Sequence, residues 1–76
     1  MLFRSFAYKD LGVAYGFQAK YDSSIYFLKK ATELDPKDAQ AYINIGVSYM
    51  NLNDKEKAQK YFNKAKEIDP NVQLPF

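Results

Sequence analysis

The side chains best suited to chemistry in this chain are two pairs of carboxylates, Glu33 with Asp35 and Glu67 with Asp69. Paired carboxylates can coordinate a divalent cation, or act together as a general acid and a general base. Each pair stands just before a proline, at a matching place in the chain, and no third ligand lies beside it in the sequence. The pairs are therefore interpreted as features of a repeated sequence, and no metal or acid–base site is expected there.

The absence of histidine and cysteine excludes most other catalytic groups. Without them the chain has no nucleophile–base pair, no zinc thiolate site and no disulfide, and it lacks the commonest metal ligand. It also lacks a glycine-rich loop that would hold a phosphate group. The sequence therefore predicts a protein that is not an enzyme and that binds no cofactor.

The remaining charged feature is a row of lysines, Lys57, Lys60 and Lys64. A basic row can attract an acidic partner, but Glu56 and Glu67 interrupt this one, which favours a solvated helix face. The net charge is only +2 and the chain has a single arginine, so neither nucleic acid nor a membrane is an expected partner. No apolar run approaches the ~20 residues that span a membrane. The first residues are too few for a signal peptide, which favours a cytoplasmic location unless a leader was removed.

A repeat of 34 residues organises the elements that position these side chains. Sliding the chain against itself by this distance needs no gap and aligns glycines, tyrosines, alanines and Asp-Pro dipeptides. The identities include Tyr8 with Tyr42, Gly12 with Gly46, Tyr15 with Tyr49, Ala31 with Ala65, and Asp35-Pro36 with Asp69-Pro70. A fixed period of this length is typical of stacked helical units.

Apolar residues recur at three- and four-residue steps inside each unit, which predicts two helices per unit. Asp38 and Asp54 are suited to cap the helices that follow them, and Asn53 tolerates the left-handed backbone of a turn. Pro36 and Pro70 disfavour helical geometry at the residue before them, so a helix ends there. The predicted helices cover about 5–18, 21–34, 39–52 and 55–68.

Several positions of each unit follow a known order: a large aromatic, Leu-Gly, Tyr, Ala-x3-Phe and Pro. The second unit reads Tyr42-x2-Ile45-Gly46-x2-Tyr49, then Ala58-x3-Phe62 and Pro70. The first reads Tyr8-x2-Leu11-Gly12-x2-Tyr15, then Ser24-x3-Leu28 and Pro36. The chain therefore resembles the tetratricopeptide repeat family, although tyrosine replaces the usual tryptophan, Ser24 replaces alanine and Leu28 replaces phenylalanine.

The resemblance implies an all-α fold of tandem antiparallel helical hairpins, a fragment of a right-handed α-solenoid. It divides one domain, residues 1–76, into a repeat at about 5–38, a repeat at about 39–72 and a tail, 73–76, at the start of an absent third unit. Small residues such as Gly12 and Gly46 are expected to let helices approach closely, and bulky ones to fill the core.

The resemblance also implies a protein-interaction scaffold or adaptor, in which the first helix of each hairpin lines a concave groove for a peptide or a partner helix. It places an apolar strip with polar flanks in that groove: Phe6, Lys9, Asp10, Val13, Phe17, Gln40, Ile43, Asn44, Val47, Met50 and Asn51. Such a strip suits an apolar segment. The alternative is that two repeats make a groove too shallow to hold anything.

One subgroup of the family binds acidic C-terminal tails through a clamp of lysine and asparagine. Lys9 and Asn44 match two positions of that clamp, whereas Val13 stands where another asparagine is required, and the third repeat is missing. The ion pair between an exposed carboxylate and one lysine contributes only about 0–1 kcal/mol of binding free energy. The groove is therefore predicted to recognise the apolar side chains of a bound segment more than its charged groups.

The alternative function is self-assembly, either as a homo-oligomer or as part of a longer array of repeats. Arrays of this kind need about three repeats and a polar capping helix for stability. Apolar side chains in excess of one buried stripe are candidates for self-association: Phe3, Tyr26, Phe27, Tyr61 and Phe76. RNA binding is less favoured because helical-repeat readers need many repeats.

Overall fold

The structure, a computed structural model, describes residues 2–75, with side chains described from Arg4 onward. Its helices, numbered in chain order, are α1 (Leu2–Phe17), α2 (Tyr21–Leu34), α3 (Ala39–Asn51) and α4 (Lys55–Ile68). No strand occurs in the described range, so the predicted all-α class is confirmed. None of the described helices is long and apolar enough to cross a lipid bilayer.

The helix boundaries agree with the prediction within a residue, except at the start of α1. This helix begins at Leu2 rather than near residue 5. The stretch Leu2, Phe3 and Arg4 contains neither glycine nor proline, so nothing in it opposes helical geometry. α3 and α4 begin after an aspartate, and α2 and α4 end two residues before a proline.

Aspartates cap the two helices of the second hairpin as predicted. Asp38 Oδ1 accepts a hydrogen bond of 3.3 Å from the backbone N–H of Ala41, and Asp54 Oδ1 accepts one of 3.1 Å from Lys57. These bonds satisfy backbone donors that a helix start leaves unpaired. α2 lacks this device, because its N-cap residue is Lys20, which makes no side-chain cap bond.

The turn inside each hairpin passes through one residue with left-handed backbone geometry. These residues are Ala19, with φ of 61°, and Asn53, with φ of 62°. In the first turn the N–H of Lys20 donates to Tyr15 O at 2.9 Å, and the N–H of Ala19 donates to Gly16 O at 3.0 Å. This pattern is a Schellman motif, which reverses the chain in few residues. Asparagine was expected at such a position, but alanine was not, because its Cβ strains the left-handed region.

The two helices of each hairpin touch where the first carries a glycine. A Cβ at Gly12 would lie 2.5 Å from Leu28 Cγ, and a Cβ at Gly46 would lie 2.6 Å from Phe62 Cε1. Both Leu28 and Phe62 are almost completely buried. The glycines therefore allow the close approach that the sequence predicted, and the bulky side chain of the second helix fills the space.

Each hairpin also holds an aromatic sandwich, in which a ring of the second helix lies between two tyrosines of the first. Phe27 stacks between Tyr8 and Tyr15, with ring centroids 6.2 and 5.4 Å apart. In the second hairpin Tyr61 lies between Tyr42 and Tyr49, at 6.3 and 5.6 Å. Such ring pairs add about 0.5–1.5 kcal/mol beyond the area they bury.

The hairpins join through α2 and α3, which share a buried aliphatic cluster of Ile25, Leu28 and Ile45. Beside it, Ser48 Oγ donates a hydrogen bond of 3.2 Å to Ser24 Oγ across the junction. The second hairpin has its own cluster around Ile43 and Phe62, against which Val72 and Leu74 also pack. The apolar core thus comprises one cluster at the junction of the hairpins and one within the second hairpin.

Gly46→Ala is expected to destabilise the protein by about 1–3 kcal/mol, because the new methyl group must displace the buried ring of Phe62. Gly16→Ala is the matched control. Its Cβ would lie 3.3 Å from Ser24 Oγ, and the helix-forming advantage of alanine, about 1 kcal/mol, offsets the slight crowding. Urea unfolding of the three proteins measures the difference, and equal stability of the two variants would contradict the packing described here.

Ala19→Gly is expected to stabilise the protein by about 1 kcal/mol, because glycine adopts positive φ without a Cβ clash. Asn53→Gly, at the equivalent turn, is the control and is expected to change stability less, since asparagine tolerates this geometry. Thermal unfolding of both variants measures the gain. A loss of stability in Ala19→Gly would show that the first turn does not require a left-handed residue.

Candidate functional site

The first helices of the two hairpins, α1 and α3, touch each other only slightly, and a cavity of about 290 Å³ opens between them above α2. Val13 and Phe17 contribute from α1, and Val47 from α3. The remaining lining residues come from all three helices: Gly16, Tyr21, Ser24, Leu28, Asn44, Ser48 and Asn51. We call this cavity the groove pocket.

The groove pocket brings together part of the predicted groove. The predicted residues that line it are Val13, Phe17, Asn44, Val47 and Asn51. Phe17 is 87% exposed at the end of α1, whereas the two valines are half-buried. The pocket thus has an apolar wall on each side and an aromatic side chain at its rim.

Two serines in the lining of the groove pocket are held by hydrogen bonds. Ser24 Oγ donates to the backbone oxygen of Gly12 at 2.6 Å and accepts from Ser48 Oγ. Both side chains are buried, and the bonds link α1, α2 and α3. Sequence reasoning treated Ser24 only as a small packing residue and did not single out Ser48. The 34-residue alignment gave no signal for this bond, because Ser48 aligns with Ala14.

Amide side chains flank the apolar walls. Asn44 Oδ1 accepts a hydrogen bond of 3.1 Å from Gln40 Nε2, and Asn51 Nδ2 donates one of 3.0 Å to Val47 O. Within the described residues, Asn44 Nδ2 and Asn51 Oδ1 make no hydrogen bond. The amide nitrogen of Asn44 and the amide oxygen of Asn51 therefore remain for a bound chain.

The ammonium group of Lys9 is not free to bind an anion, because it already has a carboxylate partner. Lys9 Nζ lies 2.7 Å from Asp38 Oδ2, and both side chains are mostly buried. The same nitrogen lies 5.6 Å from the ring centroid of Phe6. Since Asp38 also caps α3, the pair ties the first helix of one hairpin to the start of the next.

The other predicted groove residues lie outside the groove pocket. Ile43 is buried in the core of the second hairpin, Asp10 and Gln40 are exposed, and Phe6 is half-exposed beside Lys9. Met50 lines a separate depression of about 170 Å³ with residues of α4. The predicted groove is thus divided in the folded chain, and its apolar part lies around Val13 and Val47.

The residues predicted for self-association have different environments. Phe27 and Tyr61 stack within their own hairpins, whereas Tyr26 is 58% exposed on α2. The side chain of Phe3 and the whole of Phe76 lie outside the described residues. Among the described candidates, Tyr26 therefore offers the largest free surface.

Lys29 contacts the second aromatic sandwich from the first hairpin. Its Nζ lies 5.7 Å from the ring centroid of Tyr49 and 5.9 Å from that of Tyr61. A hydrogen bond with Tyr49 and the nearby phenol groups raise the pKa of Lys29 above its ordinary value, against the opposing effect of partial burial. This ammonium group therefore contributes to the contact between the hairpins.

Charged residues of α4 line an open depression, in which Lys60 and Lys64 lie among Glu56, Gln59 and Glu67. Among the described residues, no group of three or more acidic side chains could hold a metal ion. The arrangement that remains is the groove pocket, which offers apolar contacts and a pair of amide hydrogen-bonding atoms.

Comparison with known proteins agrees with the repeated geometry. Residues 39–72 match a tetratricopeptide repeat model, and residues 17–53 match a second model, described as TPR repeat. The chain is also 26% identical over 65 residues to the Homo sapiens protein named Protein O-mannosyl-transferase TMTC3. That match covers 86% of this chain but only 7% of the human protein.

Lys29→Met is expected to destabilise the protein at neutral pH, because it removes the ammonium group and keeps an apolar side chain. The pKa of Lys29 is higher in the folded state, so its stabilising effect is complete below the unfolded value of about 10.5 and is lost as pH rises through the folded value. Urea unfolding at several pH values measures the gap in the free energy of unfolding between the wild type and the variant. Lys37→Met is the control, and a gap that stays constant above about pH 10.5 would contradict the role of the charge.

Proposed function

The chain belongs to the tetratricopeptide repeat family, and on that premise we propose that it binds an apolar segment of another protein in the groove pocket. Repeats of this family mediate protein–protein interactions. The observation that carries the proposal is the placement of Val13, Phe17 and Val47 on both sides of one cavity. No catalytic step is part of this function.

The size of the groove pocket suits one or two side chains of a peptide. Its volume of about 290 Å³ is at the lower end of pockets that hold small ligands, roughly 300–1,000 Å³. An extended peptide can place an apolar side chain between the valines while its backbone pairs with Asn44 Nδ2 and Asn51 Oδ1. For so short a groove we expect an affinity no better than about micromolar, or roughly 8 kcal/mol.

Charge is not the main determinant of the proposed recognition. Lys9, which matches the clamp that binds acidic tails, is held by Asp38 and by the Phe6 ring. Breaking that pair to bind a ligand would leave Asp38 without its cation. Apolar contact at roughly 25 cal/mol per Å² buried is therefore expected to dominate binding.

The name of the human relative includes a transferase activity, which we do not assign to this chain. The similarity covers 7% of that protein. Over residues 17–72 this chain matches repeat models, and tetratricopeptide repeats are typically non-catalytic scaffolds. The shared feature that supports the proposal is the presence of interaction repeats.

Self-association is the second candidate, and the exposed ring of Tyr26 supports it. Phe27 and Tyr61 were also predicted to take part in self-association, but both rings stack within their own hairpins. Fewer of the described side chains are therefore available for self-association than the sequence suggested. The solution mass across a dilution series distinguishes the two functions. An assembly module changes mass with its own concentration, whereas a peptide-binding module requires a second chain.

Phe17→Ala is expected to weaken peptide binding about tenfold, or about 1.4 kcal/mol, with little loss of stability because the ring is mostly exposed. The probe is a displayed library of random 12-residue peptides, whose extended length of about 40 Å exceeds the longest extent of the molecule, 30 Å. We expect selection of peptides with apolar residues, and fluorescence anisotropy of labelled winners then gives their affinities. Tyr26→Ala removes another exposed ring, which lies outside the groove pocket, and is expected to leave affinity unchanged.

Val47→Asp is expected to abolish binding of the same peptides by placing a charge in the apolar wall, whereas Lys9→Ala is expected to weaken it only slightly. Circular dichroism checks that each variant is folded. Selection of acidic C-terminal peptides that depend on Lys9, or equal losses in Phe17→Ala and Tyr26→Ala, would contradict the proposed site.

A further inference from the structure

The side of α1 that borders the groove pocket carries one carboxylate among apolar side chains. Residues spaced at four, three and four positions share one face of this helix, namely Phe6, Asp10, Val13 and Phe17. Val13 and Phe17 line the groove pocket, so this face is the one that borders it. Asp10 is exposed, and its carboxylate makes no ion pair or hydrogen bond within the described residues.

The other charges of α1 and α3 do not offset this carboxylate. α1 contains three charged residues, Arg4, Lys9 and Asp10, whereas α3 contains none. Lys9 is already paired with Asp38 at 2.7 Å. Arg4 stands six residues before Asp10, which places it about 120° away around the helix. The walls that α1 and α3 present to a bound segment therefore carry one unpaired charge, and it is negative.

The amide atoms that remain available on α3 suit a chain that lies along the slot between α1 and α3. Asn44 and Asn51 are seven residues apart, or about 10 Å along the helix axis. About three residues of extended chain cover this distance. On α1, Asp10 and Phe17 are also seven residues apart and stand at the aligned positions of the 34-residue repeat. A segment whose backbone pairs with both amides can therefore reach Asp10 and Phe17 at the same time.

Exposed rings stand at both ends of this face of α1. Phe17 is 87% exposed and Phe6 is 54% exposed. Their separation of eleven residues corresponds to about 16 Å, or about five residues of extended chain. Asp10 lies between the rings, four residues after Phe6. A residue opposite Asp10 is therefore about two residues from the one at Phe6 and about three from the one at Phe17.

We infer that the segment bound in the groove carries a lysine or an arginine between two apolar residues, and that its cation pairs with Asp10. This inference rests on the proposed function, because it names the chemistry of the segment that the groove pocket binds. The apolar residues contact Phe6 and Phe17, and the basic residue lies between them. The preferred charge is opposite to that of the acidic tails, because the lysine that matches their clamp is already paired.

The ion pair adjusts selectivity, whereas apolar contact provides most of the affinity. Asp10 is exposed, and exposed ion pairs contribute little. Replacement of the basic residue of a bound peptide by glutamine is therefore expected to weaken binding about two- to fivefold. Glutamate at that place exchanges attraction for repulsion and is expected to weaken binding about tenfold. Both differences should shrink at high salt, because water and ions screen exposed charges.

The test uses two displayed libraries of peptides of the length used above. They differ at one fixed central residue, which is lysine in one library and glutamate in the other, and all other residues are random. Each library is selected against the wild type, Asp10→Asn and Asp10→Lys. Glu67→Gln is the matched control, because it removes an exposed carboxylate on α4 outside the groove pocket.

Fluorescence anisotropy then gives the affinity of each selected peptide with lysine, glutamine or glutamate at the central place. The wild type and Glu67→Gln are expected to prefer lysine. Asp10→Asn should lose the preference, and Asp10→Lys should reverse it toward glutamate. Because Asp10 is exposed and its carboxylate has no partner within the described residues, these variants are expected to remain folded, which circular dichroism checks.

Equal affinity of the lysine and glutamate peptides for the wild type would overturn the inference. A preference for lysine that persists in Asp10→Asn would also overturn it. If the peptides in either case still lose binding in Phe17→Ala and Val47→Asp, the proposed function stands without this inference. If neither library yields a binder, the proposed function itself fails.

Discussion

The contact of Gly12 and Gly46 with the second helix of each hairpin is the constraint on which the other features depend. A methyl group at either position would meet Leu28 or Phe62 at about half an ångström less than real contacts allow. This close approach brings Phe27 between two tyrosines and buries the small residues of the second helices. At Gly12 the contact also fixes the approach of α1 to α2, and both helices line the groove pocket together with α3.

The two repeats differ in chemistry at one pair of aligned positions. Lys9 and Asp38 form an ion pair in the first repeat, whereas Ile43 and Val72 occupy the same places in the second and belong to an apolar cluster. Burial of the charged pair requires its close geometry, because an unpaired buried charge would be costly. At the same aligned positions, the first repeat therefore has a polar link between the hairpins, and the second repeat has an extension of the core.

Much of the fold was predictable because it depends on residues close together in the sequence. The aspartate caps, the proline stops and the glycine contacts follow from local chemistry repeated at a fixed distance. The left-handed backbone of Ala19 was not predictable, because the turn of the repeat overrides the preference of alanine. The pairing of Lys9 with Asp38 and the bond between Ser24 and Ser48 join residues far apart in sequence, and neither has a counterpart in the other repeat. For this reason the predicted groove included Lys9 and omitted the two serines.

The aromatic sandwiches also give the protein optical properties of its own. The chain has seven tyrosines and no tryptophan, so its near-ultraviolet absorption comes mainly from phenol rings. The second hairpin holds three of them in one fixed stack, whereas the first holds two around a phenylalanine. Rings locked in an asymmetric arrangement produce near-ultraviolet circular dichroism, which disappears when the packing loosens. Comparison of the near-ultraviolet signal with the far-ultraviolet signal therefore reveals whether the ring packing and the helices are lost together.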